Sequence, residues 1–181
     1  MQEIRKLYLA QFIYGFGCMA SYTFTLYFLA HGLSQAQISL LFSVYFIATV
    51  LLEIPTGGFA DTFGHKASFA LGLIIEAFYY LIFFLFPTFN GFMFGMVIAA
   101  LGLTFQSGAN NSLTYEILNK LGKKDDYLKI NGRIGTMMSL AVIIAAPIGT
   151  WIYKFHPSLP YLISFALVFL SGLAKFAVPA G

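Results

Sequence analysis

The sequence predicts an all-α integral membrane protein with six transmembrane helices. Three observations point there. Hydrophobic residues make up 59% of the chain and charged residues 9%. A soluble domain carries about a quarter charged residues, so this chain cannot cover its own surface with polar groups. The apolar residues also fall into six runs, each long enough to cross a hydrocarbon core that takes roughly 20 helical residues. Finally, every break between runs is short except a charged one around 122–129. No extramembrane region fits between them, and residues 1–181 read as a single six-helix domain.

The first span covers about 7–30, behind Arg5 and Lys6. A basic start before an apolar run has the form of a signal peptide. This run is too long and lacks a cleavage pattern, so it reads as a retained first helix. Ser34-Gln35-Ala36-Gln37 has capping-box form and opens the second span, about 36–60. The third span, about 67–86, ends before Pro87, and Asn90-Gly91 separates it from the fourth, about 91–118. A charged break around 122–129 precedes the fifth span, about 133–153. His156-Pro157-Ser158-Leu159-Pro160 then separates it from the sixth, about 160–178.

Charge placement orients these spans. With a cytoplasmic N-terminus, nine of the ten basic residues lie on or near the cytoplasmic side and only Lys154 falls outside, a strong positive-inside bias. Six spans return the C-terminus to the same side, so the expected location is the cell membrane with both termini cytoplasmic. The net charge of +3 is small and dispersed and does not suggest a nucleic-acid partner. The single Cys18 excludes an internal disulfide framework. Neither a metal-ligand cluster, a nucleophile–base pair nor a phosphate loop is present, so no metal, cofactor or enzymatic activity is expected.

The segment from Leu52 to Lys66, LEIPTGGFADTFGHK, lies between spans two and three. Set against G-x-x-x-D-(R/K)-x-G-(R/K)-(R/K), it matches at Gly57, Asp61, Gly64 and Lys66, with Thr62 in place of the first base and His65 where Arg is common. This resembles the loop 2–3 signature of the major facilitator superfamily of membrane transporters. The preceding Glu-x-Pro-Thr-Gly is similar to the second span of drug-efflux-like members. The resemblance implies two inverted three-helix repeats, spans 1–3 and 4–6, which together make the N-terminal half of a major facilitator fold. A complete transporter needs a second six-helix half. Either the 181 residues are a fragment of a longer chain, or two copies pair as a homodimer.

Ionisable groups inside a membrane face the bundle or a wet cavity, because a stranded charge costs at least a few kcal/mol. Two acids meet that description. Glu53 precedes Asp61 by eight residues, which is about 12 Å along a helix. It shares a face with Tyr45, Thr49 and Thr56. Glu76 lies ten residues beyond Lys66, which places it about 15 Å into the membrane. Either carboxyl is a candidate for proton coupling, and for each the alternative is a structural, hydrogen-bonded carboxyl. Span three usually braces the outside of the bundle in this family, which weighs against a coupling role for Glu76.

By the resemblance, Asp61 belongs to a cytoplasmic latch that holds two halves closed. Glu116 and Arg133 join it by location, beside the motif residues Gly57, Gly64 and Lys66. Spans one and four line the cavity in this superfamily, which marks Gln11, Tyr14, Gln106 and Asn110 as lining; the alternative is that such amides and hydroxyls join helices.

The expected function is secondary active transport of a small organic solute, proton-coupled efflux by alternating access. Ala145-Ala146-Pro147-Ile148-Gly149 in span five resembles the Gly-Pro signature of antiporters, although alanines stand where glycine is expected. The alternative is a six-helix subunit that assembles or regulates and does not transport. Expected partners are the lipid bilayer, the solute, protons and a second half. No midplane base is present to grip an anion, and the aromatic and amide side chains suit a neutral or cationic amphiphile.

Overall fold

A computed structural model describes residues 2–177, and those residues form helices joined by turns. The first span consists of α1 (Gln2–Gly17), a 3-10 segment (Cys18–Thr23) and α2 (Phe24–Ala30). Five helices follow: α3 (Gln35–Phe63), α4 (His65–Leu85), α5 (Phe89–Lys120), α6 (Tyr127–Phe155) and α7 (Leu159–Ala177). Five stretches are long and apolar enough to cross a membrane, and the helix at Leu159–Lys175 is a shorter apolar one. Val178, the last residue of the expected sixth span, lies outside the described residues.

Local chemistry explains most of the ends. Ser34 caps α3 with a reciprocal pair of bonds, the capping box. Its hydroxyl accepts from the Gln37 backbone N–H at 3.3 Å, and the Gln37 side chain accepts from the Ser34 N–H at 2.9 Å. Thr88 caps α5 by accepting from the Gly91 N–H, satisfying a donor the helix leaves open. Between α3 and α4 a single residue, Gly64, leaves the helix at φ 89°. That left-handed conformation suits glycine, so the glycine of the signature is itself the turn.

Two features depart from the sequence expectation for physical reasons. α6 begins at Tyr127, ahead of the expected 133, because Lys129 and Arg133 continue the helix beyond its apolar part. The first span is also not one continuous α-helix. Across Cys18–Thr23 it tightens to 3-10 geometry, the Thr23 hydroxyl bonds back to the Ala20 carbonyl, and the Ala20 N–H donates to Ser164 Oγ of α7.

In packing, α4 lies against both α5 and α7, α3 lies on α5, and the first span lies on α6 and α7. Exchanging the first three spans for the last three maps the pair 2–4 onto 5–1 and the pair 3–6 onto itself. Two inverted three-helix units produce this pattern. Only 11% of the most apolar stretch of α3 and 17% of that of α6 is buried, against 50% in α4 and α5. The flanking helices α3 and α6 therefore leave most of their surface for lipid or another protein. The core at one end is an aromatic cluster of Phe24, Tyr27, Phe28, Phe83, Phe92 and Tyr161. Most of its rings meet at tilted or edge-on angles, which aromatic quadrupoles prefer, while Phe24 stacks with Phe28 and Tyr161.

Candidate functional site

Glycines set the site. Along α4 and α5, a Cβ on Gly102 would lie 2.7 Å from the Glu76 backbone nitrogen, and one on Gly72 would lie 2.8 Å from the Gly102 carbonyl. Without those side chains the two backbones meet, and Gln106 of α5 lies directly against Glu76 of α4. On the first span, a Cβ on Gly15 would meet Met138 Sδ at 2.6 Å and one on Gly17 would meet Leu167 Cβ at 3.2 Å. This glycine face therefore packs on α6 and α7, while Tyr14 reaches α4.

The result is one carboxyl bonded from two other spans. Gln106 Nε2 donates to Glu76 Oε2 at 2.6 Å, and the Tyr14 hydroxyl donates to the same oxygen at 2.9 Å. Gln106 also donates to the Gly102 carbonyl at 3.1 Å, which fixes its amide. Next to this group, Ser21 Oγ lies 2.9 Å from the Tyr80 hydroxyl and 3.2 Å from that of Tyr79. Gln106 is buried, whereas Glu76 and Tyr14 are half-buried. Span three thus joins spans one and four through Glu76.

The other lining residues sit one level away. Gln11 and Asn110 border a separate pocket of ≈ 10 Å³ with Phe69, Thr114 and Lys175, room for about one water. Lys175 Nζ lies 5.4 Å from the centre of the Phe69 ring. Asn110 is four residues beyond Gln106, which is about 6 Å along the helix.

Glu53 is exposed on α3, and its side chain meets no hydrogen-bond or ion-pair partner among the described residues. Thr49 and Thr56, on the same helix, donate to their own helix backbone at Tyr45 and Leu52.

Among the described residues no hydrogen bond or ion pair joins Asp61, Glu116 and Arg133, the three expected latch residues. Glu116 Oε1 lies 2.7 Å from His65 Nδ1, an ion pair when the imidazole is protonated. Asp61 and Arg133 are exposed, with no side-chain partner among the described residues. Lys66 is half-buried, and a Cβ on Gly57 would meet nothing within 4 Å. Sequence reading missed the His65–Glu116 contact. The available signal was a histidine at a signature position usually held by arginine, facing an acid at the same end of span four. An open pocket of ≈ 330 Å³ adjoins this end, lined by Asn111, Ser112, Tyr115, Glu116 and Tyr127.

A family model described as Major Facilitator Superfamily matches residues 7–180. No curated protein matches the chain.

Proposed function

The chain belongs to the major facilitator superfamily of membrane transporters, and from that premise we propose that it exports a small organic solute in exchange for protons, with Glu76 as the coupling group. The observation that supports this reading is the bonding of Glu76 by Tyr14 of the first span and Gln106 of the fourth. A carboxyl tied to two other helices feels any change in their spacing. If it binds solute or proton more tightly in one arrangement than in the other, it supplies the differential affinity that alternation requires. Glu53 has no such tie and takes no part in coupling in this account.

In this reading the bundle spans the cell membrane as one six-helix domain, with Asp61, His65 and Glu116 at the cytoplasmic end. A second half, covalent or a second copy, lies across the cavity. Asp61 and Gly57 are open in this half because their partners belong to the other. There Asp61 caps a helix N-terminus, where the positive end of the dipole favours a carboxylate. The Ala-Ala-Pro segment of α6, with Pro147 lacking a donor, supports export.

The test uses vesicles containing the protein, an imposed pH gradient, and a defined mixture of neutral, cationic and anionic organic solutes followed by mass spectrometry. At least one solute accumulates against its gradient, accumulation stops when the gradient is collapsed, Glu76→Gln abolishes the proton dependence and Glu53→Gln retains it. The reading is overturned if no solute moves faster than in protein-free vesicles, or if Glu76→Gln remains proton-driven. In the first case the alternative of a non-transporting subunit takes its place.

A further inference from the structure

We propose that the small cavity between Gln11, Asn110 and Lys175 binds a monatomic anion of the chloride class, which joins the sixth span to the first and fourth. The site is separate from Glu76, and the proposal does not rest on the transport reading.

Five spans meet at this cavity of ≈ 10 Å³. Gln11 comes from the first, Phe69 from the third, Asn110 and Thr114 from the fourth, Ile134 from the fifth and Lys175 from the sixth. The rest of the lining is apolar, and no Asp or Glu borders it. The nitrogen-bearing side chains are unclaimed. Among the described residues, the amides of Gln11 and Asn110 and the ammonium of Lys175 make no hydrogen bond or ion pair. The Thr114 hydroxyl is already committed, donating to the Asn110 carbonyl at 3.0 Å. The ammonium lies 5.4 Å from the centre of the Phe69 ring, which offsets only part of the cost of withdrawing a charge from water.

This chemistry selects the occupant. Amide N–H groups and an ammonium all donate, and a site with a positive charge and no carboxylate repels cations. A single water would satisfy the donors through its oxygen and leave the charge unbalanced. An anion accepts from all three side chains and balances the charge. A cavity of this volume holds about one water-sized sphere, which admits a monatomic ion and excludes oxyanions and organic carboxylates. Access is short. Phe69 is five residues beyond Gly64, about 7 Å along α4 from the turn, and Lys175 is half-buried. The ion therefore enters from that end without crossing the bundle. Direct packing ties α7 mainly to α4 and the first span, and the ion extends that attachment to Asn110 of α5.

The test is thermal unfolding of the full chain in detergent at constant ionic strength, with gluconate replaced stepwise by chloride. Chloride is expected to raise the melting midpoint along a saturable curve, by about 3 °C or more at ten times its dissociation constant. Bromide gives a similar rise, whereas methanesulfonate, monovalent but too large for the cavity, gives none. Lys175→Gln abolishes the chloride-dependent rise. Gln11→Met, which keeps the volume of the side chain and removes its donors, weakens chloride several-fold. A midpoint that ignores chloride overturns the proposal and leaves the cavity to water. A rise that methanesulfonate matches, or that survives in Lys175→Gln, also overturns it, because salt then acts elsewhere on the protein. If Lys175→Gln does not fold, the ion series and Gln11→Met decide.

Discussion

The middle of the bundle and its signature-bearing end treat their polar groups in opposite ways. In the middle, Glu76, Tyr14 and Gln106 come from three spans and bond to one another at 2.6 and 2.9 Å. At the end, Asp61 and Arg133 stand exposed without a side-chain partner among the described residues, while His65 meets Glu116. Polar groups inside a bilayer need partners within the protein, and the middle satisfies that from one half alone. The surface end does not need to, and in the proposed reading its open residue Asp61 meets the second half.

Substitutions can break that contrast. The largest expected effect is at Glu76. Glu76→Gln should lower proton-driven flux about 100-fold or more, the scale on which a positioned proton-transfer group contributes, while Asp61→Asn should slow turnover less and keep the proton dependence. Vesicle flux at two pH gradients separates them. Equal losses in both would erase the distinction between coupling group and latch.

Packing offers the next contrast. Gly102→Ala forces a Cβ against the backbone of Glu76. Overpacking of this kind costs about 1–3 kcal/mol and should lower the melting temperature in detergent. Gly57→Ala meets nothing within 4 Å and should leave the melt almost unchanged. In the proposed reading, any loss of transport in Gly57→Ala then reports contact with a second half.

The smallest effect belongs to Glu116→Gln. Its partner His65 is charged only when protonated, and the side chain of Glu116 is 50% exposed. Such a pair is worth about 0–1 kcal/mol, so the melt should shift little. A large shift would mean that this end is more self-sufficient than its geometry suggests.

Much of the architecture was legible because it rests on local rules. Six apolar runs and the Ser34 capping box each follow from a few adjacent residues. The family was legible in Gly57, Asp61, Gly64 and Lys66. The polar triad was legible only in pieces: Tyr14 and Gln106 stood out as cavity lining and Glu76 as a midplane acid, without anything to connect them. That connection depends on Gly72 and Gly102 letting α4 and α5 touch, a contact between residues far apart in the chain. The 3-10 segment at Cys18–Thr23 was hidden for a similar reason. It contains no proline or glycine, and it is held by Ser164, far along the chain. The His65–Glu116 pair likewise spans 51 positions.

The central claim is that Glu76 trades a proton for the solute. The most direct test counts protons released when the solute that accumulates in vesicles is titrated into unbuffered detergent-solubilised protein, with Glu76→Gln beside it. The account predicts proton release on binding in the unaltered protein and none in the variant. Release of the same size from Glu76→Gln would contradict it and move the coupling group elsewhere.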